Sequence, residues 1–373
     1  MNYVCPLCRG TYDDTFRFWT LRRQPGQLRC SNPVCEGRFI TQPFPIILPN
    51  PASALVRMID VPKGVTIPAL GMLLQHITED NPLFDILDTR SRHLWSQFYD
   101  LMPQTYCPPW MPEAPFVIRA LSLLDQVELS PGTRALIAGS GPGRGALELA
   151  ERLKSLGRPP LPGTSKISKA PLSAHSSSGP RLARTSPEVH ALEQDPVLLQ
   201  AFREMTRAKK LSIILRASVE RWHTPETMEL PRALSAAANI IHPVCSDILE
   251  PPFEAESFDL VVCLDMLDKV PDPIRLLGQL QAMTRPGGFL LLASAFNWRP
   301  EITPRNKRLS SVVPHARLSD TNLLQQILTG QISCGITFNM LPLALMEEPI
   351  PAPIRIHDTH MAMHRSHISL WKK

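Results

Sequence analysis

The sequence predicts an α/β chain. A largely parallel sheet carries helices on both faces, preceded by a small cysteine-rich ribbon and a helical segment. Three observations predict it. Short apolar runs of strand length alternate with amphipathic helical stretches through residues 115–373, the pattern of successive βαβ units. The first run enters a glycine-rich turn, Gly139-Ser140-Gly141-Pro142-Gly143, that opens a helix. Four of the eight cysteines fall in the first 35 residues, as a C-x2-C and a C-x4-C pair.

Composition sets the outer bounds. With 373 residues, 43 % hydrophobic and 20 % charged, the chain can bury a sizeable core and suits two to three domains. The longest apolar run, Phe289 to Phe296, falls far short of the ~18 residues that span a bilayer. The opening MNYVCPLC lacks a charged-then-apolar leader pattern. A cytoplasmic protein without a membrane partner is expected. The 39 prolines are about twice the usual ~5 % and imply long loops or an unstructured insert. A net charge of +5 is too small to require nucleic acid without a clustered basic face.

Taken in order, residues 1–48 read as a ribbon in which Cys5, Cys8, Cys30 and Cys35 hold a structural zinc ion. A site of four thiolates has no open position for chemistry. The ribbon closes on the apolar stretch 38–48, a strand candidate. Residues 49–114 form a proline-punctuated linker or lid of helices and loops. Tyr99 and Asp100 within it read either as surface packing or as part of the lid. Residues 115–373 form the main domain. A helix over 115–127 carries Val117, Ala120, Leu121 and Leu124 on one face. Ala135 to Ala138 is a strand that feeds the glycine turn and the next helix. Residues 158–187 are rich in Pro, Ser, Gly and basic residues and read as a disordered insert. Val189 to Leu192 is a strand and 196–207 a helix, after which 208–240 is irregular. VCSDIL carries the end of a third strand, and 258–267 a fourth strand and its exit. Residues 272–284 are a helix, with Asp272 as its cap. RPGG at 285–288 is a turn, 289–296 a central strand, and HISLWKK a last strand. Cys107, Cys245, Cys263 and Cys334 stand alone, as small buried hydrophobes do.

The chemistry lies in the order of the residues beyond the glycine turn. Glu193 ends the second strand, where a carboxylate can take both hydroxyls of a ribose. Asp247 and Ile248 come after the third strand, where an acid and an apolar side chain can hold an adenine. This ordered set resembles the class I S-adenosylmethionine-dependent methyltransferases over about residues 115–373. The resemblance implies a Rossmann-like class I methyltransferase sheet and S-adenosyl-L-methionine as cofactor. It puts Gly139, Gly141 and Gly143 under the methionine part, Glu193 on the ribose, and Asp247 with Ile248 on the adenine. Ser140, Gln194 and Cys263 complete the expected cofactor set. One position departs: the acid the family carries two residues before the first glycine is Ile137 here. A nicotinamide dehydrogenase shares the glycine loop, but the Arg285-Pro286-Gly287-Gly288 run is unlike its later half.

A narrower likeness lies in Leu267-Asp268-Lys269, in Ser294 to Trp298 with Glu301 and Thr303, and in Ile354-Arg355-Ile356-His357. Together these resemble the methyltransferase domain of ovothiol biosynthesis, which methylates an imidazole nitrogen of 4-mercaptohistidine. The departures are Phe296 in place of a tyrosine and Arg308-Leu309-Ser310-Ser311 in place of a Trp-Leu-Gly-Gly run. The resemblance implies a small-molecule nitrogen acceptor. Asp268 would orient it, and Phe296, Asn297, Trp298 and His357 would bind it, with Trp298 equally readable as core. His357, His360, His364 and His367 lack the spacing that would gather them on one strand face, and read as scattered polar positions.

Two other readings stand beside this one. A cysteine-rich ribbon before a methyltransferase domain also resembles the bacterial ribosomal RNA guanine-N1 methyltransferases. Arg9, Arg17, Arg22, Arg23, Arg29 and Arg38 would then meet phosphates. Alternatively, the chain keeps the fold without catalysis.

Overall fold

Four short strands open the chain, β1 (Tyr3–Val4), β2 (Thr20–Gln24), β3 (Gln27–Cys30) and β4 (Arg38–Ile40), paired antiparallel in that order. The computed structural model describes residues 3–8, 20–42, 44–48, 79, 82–156, 186–313, 317–346 and 348–373. The expectations for 49–78, and for the 158–187 insert apart from its last two residues, lie outside the described residues.

The rest runs through α1 (Pro82–Phe98), α2 (Phe116–Leu121), β5 (Arg134–Ala138), α3 (Arg144–Leu156), β6 (Glu188–Glu193) and α4 (Pro196–Ala208). Next come β7 (Lys210–Ile213), β8 (Glu226–Glu229), α5 (Arg232–Ala237), β9 (Ile241–Cys245), β10 (Phe258–Leu264) and α6 (Pro273–Met283). The chain closes with β11 (Thr284–Ser294), α7 (Asp320–Leu328), β12 (Leu341–Leu345), β13 (Ile350–His357) and β14 (His360–Lys372). Local chemistry fixes the helix starts. Asp195 accepts the Val197 N–H with Pro196 in the first turn of α4, and Asp272 accepts the Arg275 N–H with Pro273 opening α6. No helix among the described residues is long and apolar enough to cross a membrane.

The main sheet has the order β12-β14-β11-β10-β5-β6-β9, with β13 beside β14. Strands β11, β10, β5, β6 and β9 are parallel, and β14 runs against β11. The chain starts at β5, steps outward to β6 and β9, then returns to β10 on the other side. The switch point, where such sheets bind ligands, therefore lies beyond the carboxyl ends of β5 and β10. Both faces are buried, which is why the central strands read as unbroken apolar runs. Ala135, Ile137, Leu260, Val262, Leu291 and Ala293 pack on one side with residues of α1–α4. Leu136, Ala138, Val261, Cys263, Leu290 and Leu292 pack on the other with α6, α7 and the ribbon's Cys5, Leu21, Leu28 and Phe39.

The ribbon is stitched to the edge of this sheet. Ile46 forms a parallel bridge with Cys245 of β9. The Cys245 N–H donates to Pro45 O at 2.9 Å, the Ile47 N–H to Cys245 O at 2.8 Å, and the Ser246 hydroxyl to Ile47 O at 2.9 Å. At the other end of the ribbon the Val4 N–H donates to Pro252 O at 3.0 Å. The strap formed by residues 44–48 thus covers the outermost parallel strand.

Strand β14 is longer than its neighbours. His367 to Lys372 pair with β11, while Met361 to Ser366 continue past Ser294 and pair with β13. This second half is an arm that rises from the carboxyl edge of the sheet, and its β13 strand packs against α1 and α2.

Two expectations need correction. Residues 208–240 are not simply irregular: β7 and β8 pair antiparallel within them, and α5 comes next. RPGG is not a turn between elements but a bulge inside β11. Thr284 pairs with Phe258 and Phe289 already with Leu260, so the four residues loop out of register. A Cβ on Gly288 would lie 2.9 Å from the Asp259 and Arg285 carbonyl oxygens, so glycine serves close strand approach there.

Candidate active site

β5 ends at Ala138 and the chain turns through Gly139 (φ 79°) and Gly143 (φ 91°) into α3. Glycine is needed twice over. Both φ values are left-handed, and a Cβ would lie 2.5 Å from Met266 Cγ at Gly139 and 2.2 Å from Phe202 Cδ2 at Gly143. Gly143→Ala is expected to lower Tm by several degrees through this double conflict, and thermal melting of the variant checks it.

Glu193, the last residue of β6, holds the turn in shape. Its Oε2 accepts the Gly141 N–H at 2.8 Å and its Oε1 the Asp195 N–H at 2.9 Å. Burial raises the pKa of this carboxyl, and the N–H donors of Asp195, Gly141 and Gln194 pull it back. A carboxylate has about four lone-pair sites, so room remains for a ligand's hydroxyls. Asp247 Oδ1 accepts the Leu249 N–H at 2.8 Å, which leaves Oδ2 for another donor.

These residues line one cavity of about 140 Å³ at the switch point. Of the sequence-predicted cofactor set it gathers Gly139, Glu193, Gln194, Asp247 and Ile248, with Met266, Lys269 and Pro271 opposite. Gly141, by contrast, faces the Gln97 side chain, whose Nε2 lies 2.7 Å from where a Cβ would be. Ser140 is buried in the turn. Cys263 lies wholly inside the sheet with its thiol pKa pushed up by burial, and it does not line the cavity. Ile137 packs in the core between Val262 and Ala191. Two carboxylates with spare acceptor positions beside a glycine turn are groups able to hold the ribose and adenine of S-adenosylmethionine.

The N-terminal segment is latched to this turn. Arg144, the residue after Gly143, is 3 % exposed and grips both Asp100 oxygens at 2.9 and 2.8 Å. Its Nε donates to Glu148 at 2.7 Å, and its backbone N–H to Gln97 Oε1 at 3.0 Å. Asp100 therefore belongs to the support of the glycine turn. Tyr99 is buried, with its hydroxyl on Ala114 O at 2.7 Å. Asp100→Ala leaves the Arg144 guanidinium half-paired in a buried site and is expected to destabilise the fold by about 3 kcal/mol, measurable by denaturant unfolding.

The predicted acceptor residues divide. Asp268 is buried in the turn after β10, and its Oδ2 accepts the Asn297 N–H at 2.7 Å. Its Oδ1 has no hydrogen-bond partner among the described residues. The exit of β10 is thereby tied to the exit of β11. Phe296 has a positive φ of 50° and packs near Trp298 and His367, at 6.2 and 6.0 Å between ring centroids. The Trp298 indole N–H donates to Asp320 at 3.0 Å. His357 sits at the turn of the β13–β14 arm, with its ring 5.5 Å from that of His360, and does not line the cavity. Reading the sequence missed Asp265, the first residue beyond β10. Its signal is conformational: φ is 54° and one carboxylate oxygen is buried without a partner among the described residues.

In the ribbon the four cysteine sulfurs lie within 4.8 Å of one another, with Cys5–Cys35 at 3.9 Å and Cys8–Cys30 at 3.4 Å. A tetrahedral ion at ~2.3 Å from each sulfur would set them about 3.8 Å apart, so the donor set fits zinc.

Residues 178–292 match the family model described as a methyltransferase domain. The ubiquinone biosynthesis O-methyltransferase of Coxiella burnetii is 36 % identical over 50 residues, 13 % of this chain. The chain thus spans about a fifth (21 %) of the length of that curated relative. Among solved structures, a putative S-adenosylmethionine-dependent methyltransferase from Methanococcus maripaludis is 12 % identical, with a TM-score of 0.39 and coverage of 80 % of this chain and 97 % of that one. Phosphoethanolamine N-methyltransferase 2 from Haemonchus contortus, in complex with S-adenosyl-L-methionine, is 17 % identical, with a TM-score of 0.32 and coverage of 62 % and 36 %. The residues matched by the methyltransferase domain model carry β6, β9, β10 and most of β11, the strands around the switch-point cavity.

Proposed function

We propose that this protein transfers a methyl group to a nitrogen of a small molecule, an imidazole of a mercaptohistidine-like acceptor, and that its ribbon holds a structural zinc ion. The observation that carries the small-molecule reading is the roof over the switch point. The end of α1 is latched to the glycine turn through Asp100 and Arg144, and the β13–β14 arm packs on α1 from the other side. An acceptor reaching the carboxyl ends of β5 and β10 under that roof is compact. S-adenosylmethionine, when bound, supplies an activated methyl group. Glu193 would hold its ribose, and Asp247 with Ile248 its adenine. Asp268 keeps the β11 exit in position through Asn297, and so shapes the acceptor side. Alignment of donor and acceptor supplies ~7–11 kcal/mol of such a barrier.

The test incubates purified protein with methyl-labelled S-adenosylmethionine and either 4-mercaptohistidine or unmodified ribosomal RNA. Label in the imidazole is expected. Label in RNA alone would sink the small-molecule reading.

One observation favours that second reading. Arg22, Arg29 and Arg38 are exposed and stand directly opposite one another across β2, β3 and β4. Like charges so placed destabilise a sheet, and a phosphate backbone lying across them would relieve the repulsion. If RNA is the substrate, replacing all three by alanine abolishes RNA retention at low salt while cofactor binding persists. Equal retention by the variant would clear the ribbon of that role.

A further inference from the structure

Asp265 is the residue that β10 delivers to the switch point. Its N–H donates to Ala293 O at 2.9 Å, and its backbone is held left-handed, at φ 54°. Aspartate tolerates that conformation better than most residues, and such strain persists where the surroundings enforce it. Burial raises the pKa of its carboxyl. Lys269 and the Ser366 hydroxyl oppose the shift, Asp268 adds to it, and His364 opposes it from the arm. Asp265 Oδ1 and Ser366 Oγ are both buried without a hydrogen-bond partner among the described residues. Buried oxygens of this kind are normally paired, and Asp265 directly precedes Met266, which lines the cofactor cavity. The Ser366 hydroxyl faces the carboxyl, and Asp265 Oδ1 still has room for a donor.

We propose that Asp265, with the Ser366 hydroxyl beside it, is the group that holds the methyl acceptor. It takes the N–H of the acceptor's imidazole ring and leaves the lone pair of the opposite ring nitrogen facing the methyl donor. A carboxylate on one ring nitrogen fixes the tautomer, as it does for histidine in other sites. The free lone pair forms the new N–C bond. The methyl–sulfur bond breaks with its electron pair staying on sulfur. The N–H proton, acidified as the ring becomes positive, passes to Asp265 and then to solvent. Asp268 is left to its structural tie with Asn297. This inference rests on the nitrogen-acceptor reading above, and its test separates the two.

Full-length protein saturated with S-adenosylhomocysteine is titrated with 4-mercaptohistidine by calorimetry. Methyl transfer to the same probe is timed with labelled S-adenosylmethionine. Asp265→Asn is expected to leave S-adenosylhomocysteine affinity within twofold, weaken the probe at least tenfold, and slow transfer at saturating probe about a hundredfold. Ser366→Ala, which removes only a hydroxyl, should weaken the probe severalfold with the same cofactor affinity. Wild-type probe affinity and rate in Asp265→Asn would overturn the inference while the nitrogen-acceptor reading stands. If Asp265→Asn loses S-adenosylhomocysteine binding, Ser366→Ala decides, and an unchanged probe affinity there overturns the pairing. A wild-type protein that binds S-adenosylhomocysteine yet neither binds nor methylates the probe overturns both.

Discussion

Glu193→Ala is expected to weaken S-adenosylhomocysteine binding by at least a hundredfold. The carboxylate has two duties at once. It accepts the Gly141 and Asp195 N–H groups, which fixes the glycine turn against the end of β6. It also lines the cavity where two ribose hydroxyls would meet it. Each hydrogen bond to a charged group contributes about 1.5–3 kcal/mol, so two lost hydroxyl contacts alone remove about 3–6 kcal/mol. Two stranded buried N–H groups add about 1–3 kcal/mol each, which should lower Tm as well. Glu193→Gln separates the duties. Its amide oxygen can keep one N–H partner, but its NH2 faces the other donor, so an intermediate loss is expected. Calorimetric titration of the three proteins checks this, and an affinity in Glu193→Ala within fivefold of wild type would remove Glu193 from the site.

If the ribbon holds the proposed zinc ion, stripping it is expected to cut cofactor affinity without touching a cofactor contact. Structural zinc contributes about 10–16 kcal/mol of binding energy in small zinc-folded peptides, and its loss unfolds them. Here the ribbon's outgoing strap pairs with Cys245, immediately before Ser246, Asp247 and Ile248. Loss of the strap frees the Ser246 hydroxyl and the Cys245 backbone, and with them the turn that presents Asp247 to the cavity. A strong chelator, or Cys5→Ser with Cys30→Ser, should therefore lower Tm and weaken S-adenosylhomocysteine binding about tenfold or more. Zinc content measured by atomic absorption should be one per chain. A zinc-free protein with full cofactor affinity would show that the strap holds without its metal.

The central strands were legible because burial on both faces leaves them mostly apolar. Ala135–Ala138 and Phe258–Leu264 can hardly read otherwise. The helix starts at Asp195 and Asp272 were legible because capping is written locally. What failed was what depends on neighbours distant in sequence. β7 and β8 have four residues each, too few for their alternation to stand out from the flanking loops. RPGG contains the residues of a turn, yet here they form a bulge that pairs with the chain end through Gly287 N–H to Lys373 O at 2.7 Å. Asp100 and Arg144 form a bidentate pair across 44 residues, and only the folded chain shows that the lid residue supports the glycine turn. Asp265 differs from Asp268 in its left-handed backbone angle, and that property is not spelled in residue types.

The strap that joins the ribbon to β9 also sets an order of events during synthesis. The Val4 and Ile47 contacts close only when Pro252 and Cys245 have been made, roughly 200 or more residues later. Contacts of such high sequence separation form late and slow the search for the native state. Until then the ribbon's apolar face, which includes Leu21, Leu28 and Phe39, has nothing to cover it. A ribbon crosslinked early by its own metal would wait as a finished piece rather than as a loose apolar hairpin. With the proposed ion bound during synthesis, the ribbon's apolar face would be held in a folded piece before its partner strands exist.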